Sequence, residues 1–139
     1  MTARIEHANL TVPDLDAAIT FLQTLEPDFE VLHDSGPGEE YRWVHVGTPA
    51  GYIALEEPHE PGKPGTRARY ADYGVNHVGF VVDDVDAVAE RLLAAGYEEG
   101  FRAERHPSRI RRYFLDSNGF EWELVQYLVT APEERFRYA

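Results

Sequence analysis

The chain contains a copy of part of itself. Residues 5–22, IEHANLTVPDLDAAITFL, align without a gap on residues 75–92, VNHVGFVVDDVDAVAERL. The alignment sets His7 on His77, Val12 on Val82, Asp14 on Asp84, Asp16 on Asp86, Ala17 on Ala87 and Leu22 on Leu92. Apolar positions match in the same register: Ile5 with Val75, Ala8 with Val78, Leu10 with Phe80, and Leu15 with Val85. A repeat of this length requires each copy to be one supersecondary unit, packed with a second of the same kind. The 139 residues amount to one ordinary domain, so the two copies are expected to share it.

Each copy opens with the alternation of a half-buried strand. Ala8, Leu10 and Val12 share one face and His7, Asn9 and Thr11 the other. In the second copy Val78, Phe80 and Val82 oppose His77, Gly79 and Val81. A helix follows each strand, with Asp14 and Asp84 as N-caps and Asp16 and Asp86 suited to the positive helix end. Ala18, Leu22 and Leu25 have helical spacing in the first copy, as do Val88, Leu92 and Ala95 in the second. Pro27 stops the first helix and Gly96 closes the second. Strand signals then fall at residues 29–33, 41–46 and 52–56, and again at 97–101, 110–116 and 120–126, with SNG as a tight turn. The expected fold is α+β: module one over residues 4–57, a Pro- and Gly-rich linker over 58–74, module two over 75–128, and a tail over 129–139. Each module reads β-α-β-β-β. Part of the linker is expected to act as a lid, and the tail to be frayed or docked on a partner subunit.

If the apolar strand faces pack on the helices, the opposite faces line a cavity. His7 and His77 then point inward from equivalent strands. In the last strand of module two, Phe120, Trp122 and Leu124 take the packed face and leave Glu121 and Glu123 turned in. In module one Ile53 and Leu55 pack and leave Tyr52, Ala54 and Glu56 turned in, although a slip of one residue would exchange Glu56 for Glu57. A carboxylate on an otherwise apolar strand is costly to bury unpaired. Two imidazoles and two carboxylates are therefore the candidate metal ligands: His7, Glu56, His77 and Glu123. His33, His45, His59 and His106 have no symmetric counterpart and read as surface or structural residues.

Composition narrows the chemistry. With no cysteine, disulfides, thiolate catalysis and cysteine zinc sites are excluded, and a His/carboxylate set suits Zn, Ni, Co, Mn or Fe. A formal charge of −12 repels phosphate backbones, so nucleic acid is not an expected partner. The arginine run Arg102, Arg105, Arg109, Arg111 and Arg112 reads first as a solvated face or a set of internal ion pairs, and second as a grip for an anionic substrate group. No apolar run is long enough to cross a bilayer, and MTARIEHANL lacks the plan of a signal peptide. The expectation is a cytoplasmic protein without a membrane partner.

These features resemble the vicinal-oxygen-chelate superfamily, which includes glyoxalase I, methylmalonyl-CoA epimerase, extradiol dioxygenases, and fosfomycin and bleomycin resistance proteins. The resemblance is carried by HANLTVPDLDAAITFL, NHVGFVVDDVDAV and DSNGFEWELVQ, the last similar to the family ending D-P-x-G-x-x-x-E-L. It implies an open barrel of two β-α-β-β-β modules around one divalent ion. It also implies ligands from the first and last strand of each module, which are His7, Glu56, His77 and Glu123. The ion would bind two adjacent substrate oxygens and stabilise an enediolate-like species, with Glu123 or Glu56 also serving as the proton shuttle. Pairing into a homodimer and a small-molecule substrate are implied as well.

The sequence departs from the family pattern in its substrate-binding parts. FLQTLEPDF stands where F-Y-x-x-x-L-G-F is common. NLTV carries no arginine after His7, and no asparagine follows Glu56 in EEPHEP, so glutathione does not fit. Three functions follow from the resemblance: a metal-dependent lyase or isomerase acting next to a carbonyl, an Fe(II) ring-cleaving dioxygenase, and a non-catalytic module that binds a drug. Specificity is expected in the loops at 34–40, 57–74 and 101–109.

Overall fold

The computed structural model describes residues 2–38, 40–60 and 67–138. The chain divides into two compact units, Met1–Thr66 and Arg67–Ala139. Unit 1 contains β1 (His7–Thr11), α1 (Leu15–Leu25), β2 (Glu30–Asp34), β3 (Trp43–Thr48) and β4 (Gly51–Glu56). Its sheet runs β1-β4-β3-β2, with β1 parallel to β4 and the other pairs antiparallel. Unit 2 contains β5 (His77–Val81), α2 (Val85–Ala94), β6 (Glu98–Glu99), β7 (Arg109–Leu115) and β8 (Glu121–Tyr127), in the equivalent order β5-β8-β7-β6. A short α3 (Pro132–Arg135) follows. The fold is α+β, and the β-α-β-β-β reading holds for both modules.

Both helices start as their sequences require. The Asp14 and Asp84 carboxylates accept the backbone N–H of Ala17 and Ala87 at 2.9 and 3.1 Å. α1 buries Leu15, Ala18, Phe21, Leu22 and Leu25 against β3 and β4, whose inward residues Val44, Val46, Ile53 and Leu55 are fully or almost fully buried. α2 buries Val85, Val88, Ala89 and Leu92 on a sheet carrying Phe114, Trp122 and Leu124. Ala95 departs from expectation. It is the exposed C-cap of α2, because the helix ends one residue earlier.

The repeated acids Asp16 and Asp86 have a second use. Arg42, just before β3, donates to Asp16 at 2.8 Å and, through Nε and Nη2, to both oxygens of Asp34 at 3.0 and 2.8 Å. In unit 2, Arg112 donates to Asp86 at 3.1 Å and grips Glu99 at 2.7 and 2.8 Å. Each helix start is thus clamped to its sheet by an arginine held between two carboxylates. Hydrogen bonds from Arg42 and from the Gly36 N–H pull Asp34 down from its ordinary value of 3.8 to about 2. A depressed carboxylate stabilises the fold above its unfolded pKa and loses that contribution as pH falls through its folded pKa. Urea midpoints are therefore expected to fall between pH 4 and pH 2, with a smaller fall in Arg42→Met. An equal fall in both proteins would contradict the clamp.

Three expectations need correction. The strand placed at 97–101 is only Glu98–Glu99, because after Gly100 donates to the Tyr113 carbonyl the chain turns away and Phe101 is exposed. Residues 67–74 are not a free linker: they belong to the second unit and are hydrogen-bonded around Arg67. Residues 61–66, where much of the expected lid falls, lie outside the described residues. The tail is tied to its own module. Arg109 is buried, donates to the carbonyls of Arg135 and Arg137 at 3.4 and 3.2 Å, and lies over the Tyr138 ring. Among the described residues, no helix is long and apolar enough to cross a membrane.

Candidate metal centre

The geometry of unit 2 starts at the turn before β8. The buried Asp116 carboxylate accepts the backbone N–H groups of Asn118 and Phe120 through one oxygen, both at 2.9 Å, and the Trp122 indole N–H through the other at 3.0 Å. Gly119 completes the turn at φ 81°, a conformation that favours glycine. This turn fixes the position of β8, and β8 pairs in parallel with β5 so that His77 stands opposite Glu121 and Gly79 opposite Glu123. Both carboxylates and His77 share one face. His77 Nε2 lies 2.9 Å from Glu123 Oε2, and His77 Nδ1 lies 3.5 Å from Glu121 Oε1.

A third residue joins from the loop before β5. The Tyr70 hydroxyl donates to Glu121 and lies 3.0 Å from His77 Nδ1. Burial, then Glu121, pushes this phenol up to about 12, so it keeps its proton. Having spent its own hydrogen on a carboxylate that only accepts, Tyr70 receives the proton of Nδ1. In the neutral ring the lone pair then sits on Nε2, aimed at Glu123. Two acceptors at 2.9 Å repel each other unless a proton or a cation lies between them. Tyr113 stands edge-on to His77 at 5.5 Å between ring centres, its phenol raised by burial and then by Glu123. A Cβ at Gly79 would lie 3.6 Å from Glu123 Oε2, so glycine keeps the space beside that carboxylate open.

In unit 1 His7 stands opposite Tyr52, Asn9 opposite Ala54, and Thr11 opposite Glu56. His7 Nδ1 is also engaged: it lies 3.0 Å from Glu6, whose carboxylate accepts the Tyr52 hydroxyl at 3.1 Å. Aromatic rings continue along this face, with His7 on Tyr52, Tyr52 on His45, and His45 beside Trp43, at 5.0, 4.5 and 5.2 Å between centres. His45 is thus part of the same face as His7, and burial lowers its pKa. Glu56 shares the face too, but accepts from Asn9 at 3.3 Å and lies 2.8 Å from His59 Nε2. Glu57 lies beyond the strand and accepts the Arg42 backbone N–H at 3.0 Å.

Residues 4–124 match the family model described as the Glyoxalase/Bleomycin resistance protein/Dioxygenase superfamily. The chain belongs to this superfamily. A 2-epi-5-epi-valiolone epimerase from Actinomyces sp. is 28% identical, over 94% of this chain and 83% of that protein. Among solved structures, a glyoxalase/bleomycin resistance protein/dioxygenase domain from Frankia sp. has a TM-score of 0.75 at 23% identity, covering 94% of this chain and 96% of its own. The fosfomycin resistance protein FosX from Listeria monocytogenes, solved with Mn(II) and sulfate, has a TM-score of 0.70 at 23% identity, covering 99% of each chain.

Within each unit the sequence-derived ligands are spaced differently. His77 and Glu123 meet within hydrogen-bonding distance. His7 and Glu56 do not converge within unit 1, since Glu56 lies four residues past the partner of His7, ~13 Å of strand. The residue of unit 1 that occupies the ladder position of Glu123 is Ala54, and Glu56 occupies that of Val125. Among the described residues, no group of three or more His, Asp or Glu side chains is gathered closely enough to hold a metal ion. The donor types of the His77–Glu123 pair nevertheless suit a divalent cation: an imidazole nitrogen facing a carboxylate oxygen at 2.9 Å. Tyr70 and Tyr113 were not singled out from the sequence. Tyr113 alternates with Arg111 on β7, where Arg111 has a buried Nε without a partner among the described residues.

Proposed function

We propose that this superfamily member is a divalent-metal isomerase or lyase that moves a proton on the carbon next to a carbonyl of a small polar molecule. The observation that carries the reading is His77 Nε2 standing 2.9 Å from a Glu123 carboxylate oxygen, with the other ring nitrogen already engaged. His77 and Glu123 would hold the ion. His7 enters the ligand set through the sequence repeat, and Glu56 is retained as a candidate for proton transfer. The bound ion would supply Lewis acidity toward the substrate oxygen beside the reacting carbon. Glu123 would take and return the proton through its other carboxylate oxygen. Tyr113 keeps its own proton and is hydrogen-bonded to Glu123, so it would hold that carboxylate in place. The epimerase relative and the Mn(II)-bound fosfomycin resistance protein support this class of chemistry. Working as a homodimer is part of the proposal.

The register favours one second reading. Ala54 in place of a carboxylate leaves two histidines and one glutamate as the ligand set, the donors of Fe(II) dioxygenases. Elemental analysis of tag-free protein, followed by solvent-deuterium uptake into cyclic hydroxyketones by NMR, separates the two. Mn, Ni, Co or Zn with deuterium uptake supports the isomerase. Iron with oxygen consumption on catechols supports the dioxygenase. No metal after reconstitution with each ion defeats both and leaves a drug-binding module.

A further inference from the structure

The loop at 67–76 is too heavily built to be a connection. The Arg67 guanidinium sits inside it and donates to the carbonyls of Tyr73, Val75 and Asp72 at 3.1, 2.6 and 3.4 Å and to Asn76 Oδ1 at 3.3 Å. The same Asn76 oxygen accepts the backbone N–H of Tyr70 at 2.7 Å, and Asp72 accepts that of Ala68 at 2.7 Å. Arg69 ties the loop to the β8 turn through the Gly119 carbonyl at 2.5 Å. Gly74 lies at φ 136°, where a Cβ would come within 2.7 Å of Arg67 Nε. All this holds Tyr70 at φ 65°, the sole non-glycine residue of positive φ among the described residues. Such a conformation is costly for a residue with a Cβ and persists only where its surroundings over-determine it.

The product of that strain is one contact chain, from His77 Nδ1 through the Tyr70 hydroxyl to the nearly buried Glu121 carboxylate. We propose that Tyr70, backed by Glu121, is a positioning residue that fixes the ring plane and proton of His77 so that Nε2 presents its lone pair beside Glu123. The chain gives Glu121 a use that does not require it to be a ligand. It also explains why an aromatic residue is held in a left-handed conformation in a Gly- and Pro-rich segment. Outer partners of a ligating histidine typically contribute ten- to a hundredfold to metal affinity.

The inference rests on His77 being a metal ligand, and two readouts keep the claims apart. The first is the His77 tautomer in metal-free protein, read from long-range ¹H–¹⁵N NMR where the ring is neutral. Glu123→Ala, in which no carboxylate faces Nε2, is expected to show the Nδ1–H form, and Glu123→Ala/Tyr70→Phe a mixture. The second is Mn(II) or Ni(II) affinity by chelator competition, expected to fall roughly ten- to a hundredfold in Tyr70→Phe. Tyr73→Phe, in the same loop but fully exposed, is expected to match the parent in both. An Nε2–H tautomer in Glu123→Ala, or unchanged tautomer and affinity on adding Tyr70→Phe, overturns the positioning role. An Nδ1–H tautomer that depends on Tyr70, in a protein that binds no metal, supports the positioning role and defeats the metal reading alone.

Discussion

Glu123→Ala is expected to bind Mn(II) or Ni(II) more than about a hundredfold more weakly than the parent, because loss of a direct ligand should exceed the ten- to hundredfold effect of outer partners. The substitution also leaves Nε2 of His77 facing an empty space instead of a carboxylate 2.9 Å away. Glu56→Ala is the informative comparison. Glu56 is already occupied by Asn9 and His59 and lies far along β4 from the partner of His7, so its removal is expected to change affinity by less than threefold (on the order of 0.5 kcal/mol). Chelator competition on both variants, with circular dichroism to confirm folding, decides the matter. A large loss in Glu56→Ala would restore the four-residue ligand set, and no loss in Glu123→Ala would remove the pair from consideration.

Asp116→Ala is expected to destabilise the protein by roughly 5 kcal/mol. Hydrogen bonds to a charged acceptor contribute about 1.5–3 kcal/mol each, and three are lost. One of them satisfies the indole N–H of Trp122, which is almost completely buried and has no water to replace the carboxylate. Urea denaturation measures the loss directly. Asp116→Asn is expected to recover part of it, since one amide oxygen can still accept from the turn. A change below about 1 kcal/mol in Asp116→Ala would show that the turn does not set the position of β8. That outcome would also remove the reason Glu121 and Glu123 stand where they do.

The parts of this fold that were legible in the sequence are those governed by local periodicity. The two helices, their aspartate caps and the inward faces of β1, β5 and β8 follow from spacings of two, three and four residues. The position of Glu56 was not legible, for a definite reason. Alternation fixes which face a side chain takes but not how far along its neighbour it lies, and a slip of two residues leaves every face unchanged. Glu56 therefore shares a face with His7 without sharing its neighbourhood. The Tyr70 contact was hidden differently, because its loop is organised by side-chain to backbone hydrogen bonds around Arg67, which have no period. The arginine run divided as alternation on β7 predicts: Arg112 joins the helix clamp, and Arg111 turns to the face of Tyr113 and Glu123.

In both units a tyrosine and a glutamate attend the Nδ1 side of the repeated histidine, but they come from different places. Around His7 the glutamate is the preceding residue and makes the contact itself, while the tyrosine comes from β4. Around His77 the tyrosine makes the contact and comes from a loop, while the glutamate comes from β8. The two halves thus meet one requirement with parts that no superposition of their sequences would pair. What the duplication has preserved is the occupancy of a nitrogen rather than the identity of any residue. Exchanging segments between the halves should accordingly damage both, even where the swapped stretches look interchangeable.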